Sequence, residues 1–368
     1  MVKAKKFNCS SEPPAGPHTD APFALPDAPG CSTAGSRTIT PLASRAACAC
    51  LVHHRRRGIW FVGDSLTRDL AQMLAGHLVS DGGALDWRTK PELVQRVRCT
   101  NVGLDMSGFS SDIKYAPALS DLYGPQAELL RARFARAASS HASAAAAAAV
   151  QSISIPSMPV CGGKATILYL PLKDLMSTRE VGGAAAALAR GMARGSPVPV
   201  DVLVLGAGLH TAALVPSMKG VPRTRQQKAA WLSLFNSTLH RLLAGHGRSQ
   251  PMPRLFFAGY SSRQIELAPE WVQRQQQGAD LLDALNGMAR EAIGAWGGSY
   301  LDLFCTSALE FGRAGATLDG LHYNDRVNWR KSQALLAELC APGRYLGGRA
   351  ITVTHTATHR VQDLFHSP

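Results

Sequence analysis

Short apolar runs alternate along the chain with stretches in which apolar residues recur every three or four positions. Ile59-Trp60-Phe61-Val62 is a run of the first kind and predicts a buried strand. Leu66, Leu70, Met73, Leu74 and Leu78 follow at helical spacing and predict a helix ending near Ser80-Asp81-Gly82. Residues 165–170 and 200–205 read as strands, the second running into Gly206-Ala207-Gly208-Leu209-His210. Residues 226–245 predict a helix that turns Trp231, Leu232, Phe235, Leu239 and Leu242 inward. A strand at 254–258 and a helix marked by Leu281, Leu282, Leu285, Met288, Ala292, Ile293 and Trp296 come next. A last short strand at 300–303 and a closing helix to about Cys340 complete the body. Residues 93–99 are read as a further strand, 101–115 as a loop, and 135–150 as low complexity.

Alternating strands and helices predict an α/β fold, a mainly parallel sheet with helices on both faces. Residues 1–45, rich in Pro, Ser, Ala and Gly, read as an irregular amino-terminal extension. The expected organisation is one domain over 46–345, carrying a low-complexity insertion at about 135–155, and a tail over 346–368.

Ser65 poses the chemical question. It stands where the first strand gives way to a helix, so it either caps the helix or is held there as a nucleophile. The positive end of the helix favours developing negative charge at that place. Serine is a weak nucleophile and needs a base from elsewhere in the chain. Asp319-Gly320-Leu321-His322, after the last strand, offers one. Its spacing lets one loop present an imidazole that takes the serine proton and a carboxylate that orients it.

Gly63-Asp64-Ser65-Leu66 and Asp319-Gly320-Leu321-His322 resemble the first and last blocks of the SGNH, or GDSL-type, esterases and acyltransferases. "FVGDSLTR", "DVLVLGAGLH" and "DGLHYN" together resemble the PC-esterase branch, which includes the trichome-birefringence-like polysaccharide O-acetyltransferases and the capsule and sialic-acid O-acetylating proteins. The resemblance implies a three-layer flavodoxin-like fold and a triad of Ser65, His322 and Asp319. It implies a carbohydrate O-acetyltransferase working through an acetyl-enzyme on Ser65, with a carbohydrate O-acetyl esterase as the alternative and a catalytically inactive glycan-binding protein as a further one. The co-substrate of a transferase would be acetyl-CoA or an acetylated intermediate, delivered in some arrangements by a membrane partner. By the same resemblance the protein works in the secretory pathway, in the Golgi lumen or outside the cell. The chain lacks the middle-block Asn of typical SGNH hydrolases, so Asp64, Arg68, Gly108, Gly208 and His210 are the candidates for oxyanion or substrate contact. Arg68 has a simpler alternative as a surface arginine paired with Asp69 or Asp112.

Composition narrows the alternatives. The formal net charge is +13 over 368 residues, but the arginines are scattered apart from His53-His54-Arg55-Arg56-Arg57. No zinc-finger spacing, RNP pattern or basic stripe with interleaved aromatics appears, so no nucleic-acid partner is expected. Cys48-Ala-Cys50 is too tight for the usual zinc knuckle, and His240 and His246 lack partners at ligand spacing, so no metal is expected. An even cysteine count of 8 is compatible with disulfides and an oxidising compartment, with buried thiols as the alternative. The glycosylation sequons at Asn8 and Asn236 are short patterns that arise by chance. No signal peptide and no apolar run long enough to span a membrane is visible in the sequence. Gly206-Ala207-Gly208 is not a dinucleotide loop, because Thr211 occupies the third glycine position. Trp231 and Trp296 are expected in the core, and Trp87, Tyr323 and Trp329 are candidates to line a carbohydrate cleft.

Overall fold

A computed structural model describes residues 23–24, 38–79, 157–196, 198–207, 224–246, 252–263, 279–308, 323 and 325–341. The elements expected at 93–99, 101–115 and 135–155, and the tail at 346–368, lie outside the described residues. In chain order the elements are β1 (Phe23–Ala24), β2 (Thr38–Ile39), α1 (Ser44–His53), β3 (Gly58–Gly63), α2 (Ser65–Val79), β4 (Ser157–Val160) and β5 (Ala165–Pro171). There follow α3 (Thr178–Met192), β6 (Val202–Gly206), α4 (Arg225–Leu243), β7 (Arg254–Ala258), α5 (Ala279–Ala295), β8 (Ser299–Leu301), α6 (Leu303–Ala308) and α7 (Asp325–Cys340).

Six strands form one sheet in the order β4-β5-β3-β6-β7-β8. All neighbours are parallel except β4, which pairs antiparallel with β5 at the edge. Pro159 is tolerated in β4 because an edge strand has amides that need no ladder partner. Taken in chain order, the parallel strands lie second, first, third, fourth, fifth across the sheet. That is the flavodoxin-like doubly wound order, as expected from the sequence.

Alternation along the central strands divides the core in two. Trp60 and Val62 of β3 face one side with Leu203, Leu205 and Phe257, where α3, α4 and α5 supply Val181, Leu188, Trp231, Phe235, Leu285 and Ile293. Ile59 and Phe61 face the other with Val204 and Phe256, where α1, α2 and α7 supply Leu51, Leu70, Leu74, Leu335 and Leu339. The result is three layers, helix on sheet on helix.

Several boundaries differ from the sequence reading. The strand expected to reach residue 303 stops at Leu301, because Asp302 turns the chain. Its carboxylate accepts from Cys305 N (3.0 Å) and its carbonyl from Thr306 N (3.4 Å), which starts α6. Helices α1 and α3 and strand β4 were not read from the sequence at all. The amino-terminal extension is also less irregular than expected at its end. Ile39 is buried, Leu42 N donates to Gln333 Oε1 (2.8 Å), and the Leu42 carbonyl accepts from His77 Nε2 (2.9 Å).

Two disulfides fasten α1. Cys48 bonds Cys161, at the end of β4, and Cys50 bonds Cys340, at the end of α7. The Cys-X-Cys pair therefore faces two partners on separate elements and serves as a structural staple. Among the described residues no cysteine is free. Disulfides of this kind belong to oxidising compartments. No helix among the described residues is long and apolar enough to cross a membrane.

Candidate active site

Ser65 lies at the carboxyl end of the sheet, immediately after β3. Strand β3 sits between β5 and β6, where the winding direction reverses, and doubly wound sheets place their ligands at that crevice. The hydrogen bonds at the start of α2 identify a cap. Asp64, only 3% exposed, is the residue that caps α2. Its Oδ1 accepts from Leu66 N (3.0 Å) and Thr67 N (3.4 Å), and its carbonyl accepts from Arg68 N (3.0 Å). Ser65 is the half-buried first residue of the helix.

The turn is held from both neighbouring strands. Thr67 Oγ1 donates to Gly206 O (2.7 Å), and Asp64 N reaches the same carbonyl (3.3 Å). Gly63 and Gly206 are register partners across β3 and β6, and a Cβ on either would collide with the Thr67 hydroxyl. The glycine of GDS and the first glycine of Gly206-Ala207-Gly208 are thus required by close approach rather than by a ligand. From β5, the Tyr169 hydroxyl is shared between the carbonyls of Gly63 (3.0 Å) and Asp64 (3.1 Å). After β7, Tyr260 donates to Ala207 O (2.6 Å) while its backbone is clasped by Asn286. Burial, reinforced by the Asp64 charge, holds both phenols well above their ordinary titration range. Both remain donors at neutral pH.

Arg68 shares the first turn of α2 with Ser65, and its guanidinium is ion-paired with Asp69 at 3.2 Å. The pairing with Asp69 is the arrangement anticipated for a surface arginine. Asp319, His322, Gly208, His210 and Gly108 lie outside the described residues, as does Trp87. The residue following His322 is described and firmly anchored. The Tyr323 hydroxyl donates to Ser262 O and meets Ser262 Oγ (2.8 Å), which in turn bonds Ser307 Oγ (3.0 Å). The Tyr323 carbonyl accepts from Asn328 Nδ2 (2.9 Å).

The expectation that Tyr323 and Trp329 line a carbohydrate cleft is corrected. Both are 6% exposed, Trp329 on α7 and Tyr323 just before it, so neither is presented to a ligand. Trp231 is fully buried, as expected, whereas Trp296 is half-buried and donates to Asn236 Oδ1 (3.2 Å). Sequence reasoning also missed Thr67, Tyr169, Tyr260 and Lys331. Thr67 was within reach, since it stands two residues after Ser65 in the same motif. Lys331 is fully buried in α7, with its Nζ 4.3 Å from the centroid of the Tyr323 ring. Among the described residues no group of acidic, His or Cys side chains is arranged to hold a metal ion.

No family model matches the sequence, and no curated protein matches it. Among solved structures, a peptidoglycan O-acetylesterase is similar over 48% of this chain and 47% of that one, at 14% identity and a TM-score of 0.26. The chain therefore spans about half of that structure. The fold is given by the strand order.

Proposed function

We propose that the protein is a serine-dependent carbohydrate O-acetyltransferase of the PC-esterase type, working through an acetyl-enzyme on Ser65. One observation carries the reading: Ser65 opens α2 at the switch point of the sheet while Asp64 performs the capping that would otherwise explain a serine there. The motif pair of Ser65 with Asp319 and His322 supports it.

In this mechanism Ser65 Oγ attacks the acetyl carbonyl of the donor, and His322 takes the serine proton. Asp319 orients the imidazole and stabilises its charged form. Collapse of the tetrahedral intermediate expels the donor's leaving group, which takes the proton from His322. A sugar hydroxyl then gives its proton to His322, attacks the acetyl-enzyme, and leaves as the acetate ester while Ser65 recovers its proton. Asp64 fixes the turn. Arg68, Gly108, Gly208 and His210 supply oxyanion or substrate contacts in place of the missing Asn block. The acetyl donor, acetyl-CoA or an acetylated intermediate, is a co-substrate. No bound cofactor is invoked. Water as acceptor converts the same acetyl-enzyme into an O-acetyl esterase. An oxidising lumen such as the Golgi, or the cell exterior, suits the two disulfides.

A fluorophosphonate probe tests the nucleophile: wild type labels and Ser65→Ala does not. Equally weak labelling of both returns the chain to the reading of an inactive glycan-binding protein. Acetylated glycan supplied with an unacetylated acceptor then separates the two activities. Transfer in excess of acetate release is expected, and the reverse order makes the protein an esterase.

A further inference from the structure

Tyr169 stands on β5 as the register partner of Phe61 on β3, in the core shared with α1, α2 and α7. Its side chain is buried, and its hydroxyl reaches past the end of β3 to the carbonyls of Gly63 (3.0 Å) and Asp64 (3.1 Å). A buried phenol ordinarily finds an acceptor. This one has a single proton to share between two carbonyls, and neither carbonyl depends on it. Gly63 O already accepts from Leu172 N (2.8 Å), and Asp64 O from Arg68 N (3.0 Å). A phenylalanine at 169 would fill the same space and strand neither acceptor. The hydroxyl, by contrast, has to be withdrawn from water. Stability therefore gives little reason for a hydroxyl at this place, whereas orientation of the turn gives one.

The two carbonyls belong to different peptides. The Gly63–Asp64 peptide is fixed at both ends without the phenol, since Asp64 N reaches Gly206 O (3.3 Å) while Leu172 N holds Gly63 O. The Asp64–Ser65 peptide comes next, and its nitrogen belongs to Ser65, the first residue of α2. Arg68 N grips its oxygen from within α2, and Tyr169 grips the same oxygen from a neighbouring strand. The phenol thus ties this peptide to the sheet as well as to its own helix. Rotation of the peptide would carry the Ser65 backbone and Oγ with it. A hydrogen bond to a carbonyl also polarises the N–H of the same peptide. Attack by Ser65 puts negative charge on a substrate oxygen beside these atoms, where dipoles help most when they need not turn as the charge forms.

We infer that Tyr169 is a positioning residue of the Ser65 site: its hydroxyl clamps the Asp64–Ser65 peptide to β5, so that Ser65 keeps one orientation while the oxyanion forms and collapses. The inference rests on Ser65 being the nucleophile. It assigns the hydroxyl to turnover and the ring to packing. Formation and breakdown of the acetyl-enzyme both pass through an oxyanion at the same place, so loss of the clamp slows both steps.

Tyr169→Phe separates the two roles, with 4-nitrophenyl acetate hydrolysis and thermal melting as the measurements. The melting temperature should stay within about 2–4 °C of wild type, because both carbonyls keep a backbone donor. Meanwhile kcat should fall about tenfold or more with KM within about threefold. Tyr300→Phe is the control, since it removes another deeply buried phenol hydroxyl, one bonded to Arg290 on β8's side of the sheet rather than to the turn. Its kcat should remain within about twofold of wild type. Unchanged kcat in Tyr169→Phe, a loss that falls on KM alone, an equal loss in Tyr300→Phe, or a Tyr169→Phe chain that melts far lower or fails to fold each overturns the inference; the last would assign the hydroxyl to stability. Ser65→Ala is run in parallel. If it hydrolyses as fast as wild type, the nucleophile reading fails; if it is inactive while Tyr169→Phe is fully active, only the Tyr169 role fails.

Discussion

The two helical layers are built on different terms. The layer of α3, α4 and α5 is nearly all hydrocarbon, from Val181 and Leu188 through Trp231 and Phe235 to Leu285 and Ile293. Its buried polar side chains are few, Thr238 and Asn286 among them, and Asn286 is spent on the Tyr260 backbone. The layer of α2 and α7 buries Asp64, Thr67, His77, Asn328, Lys331, Ser332, Gln333 and Glu338. Every buried polar group must find a partner or cost free energy, so the second layer is the poorer source of stability. The side that holds the Ser65 turn has traded apolar contact for positioned polar atoms, and the opposite side carries the burden of keeping the fold closed.

Substitutions can break this division or sharpen it. The largest effect should come from Ser65→Ala and His322→Ala, each lowering turnover by about 10³-fold or more, with the double variant little worse because triad members act as a unit. Thermal melts should not move. Additive losses would show that the two residues do not share a step. On the opposite layer Trp231→Ala should cost about 3–5 kcal/mol in urea unfolding while turnover per folded molecule is kept. A catalytic defect there would erase the distinction between the layers. Next comes Arg68→Ala, with turnover lowered about 10²-fold if the guanidinium leaves Asp69 for the oxyanion. Near-normal turnover would assign Arg68 to its surface ion pair alone. The smallest change is Thr224→Ala, which removes the capping box with Gln227 at the start of α4. About 1 kcal/mol of stability should be lost and turnover left unchanged.

Much of the fold was legible because central parallel strands are apolar on both faces. Residues 59–62 and 254–258 announce themselves, and α4 and α5 carry wide apolar stripes. Helix α3 was not legible. Gly182 and Gly183 interrupt it, and its inward face relies on alanines, whose signal is weak beside that of leucine. Helix α1 owes its place to two disulfides that residue spacing does not specify. Within the site, Ser65 and its motif could be read, but the division of labour with Asp64 could not. Both residues are good caps, and only the hydrogen bonds from Leu66 N and Thr67 N distinguish them. Tyr323 and Trp329 were misread for a shared reason. Aromatic residues near a motif read as ligand platforms, whereas both of these side chains are buried.

The Cys50–Cys340 bond spans 290 residues, and Cys48–Cys161 spans 113 within nearly the same stretch. Covalently, residues 50 to 340 form a closed ring. A protease that cuts once between residues 50 and 340 opens the ring but releases no fragment. Nicked protein therefore gains only the mass of one water, travels as one species under denaturing conditions until a reductant is added, and only then separates into two chains.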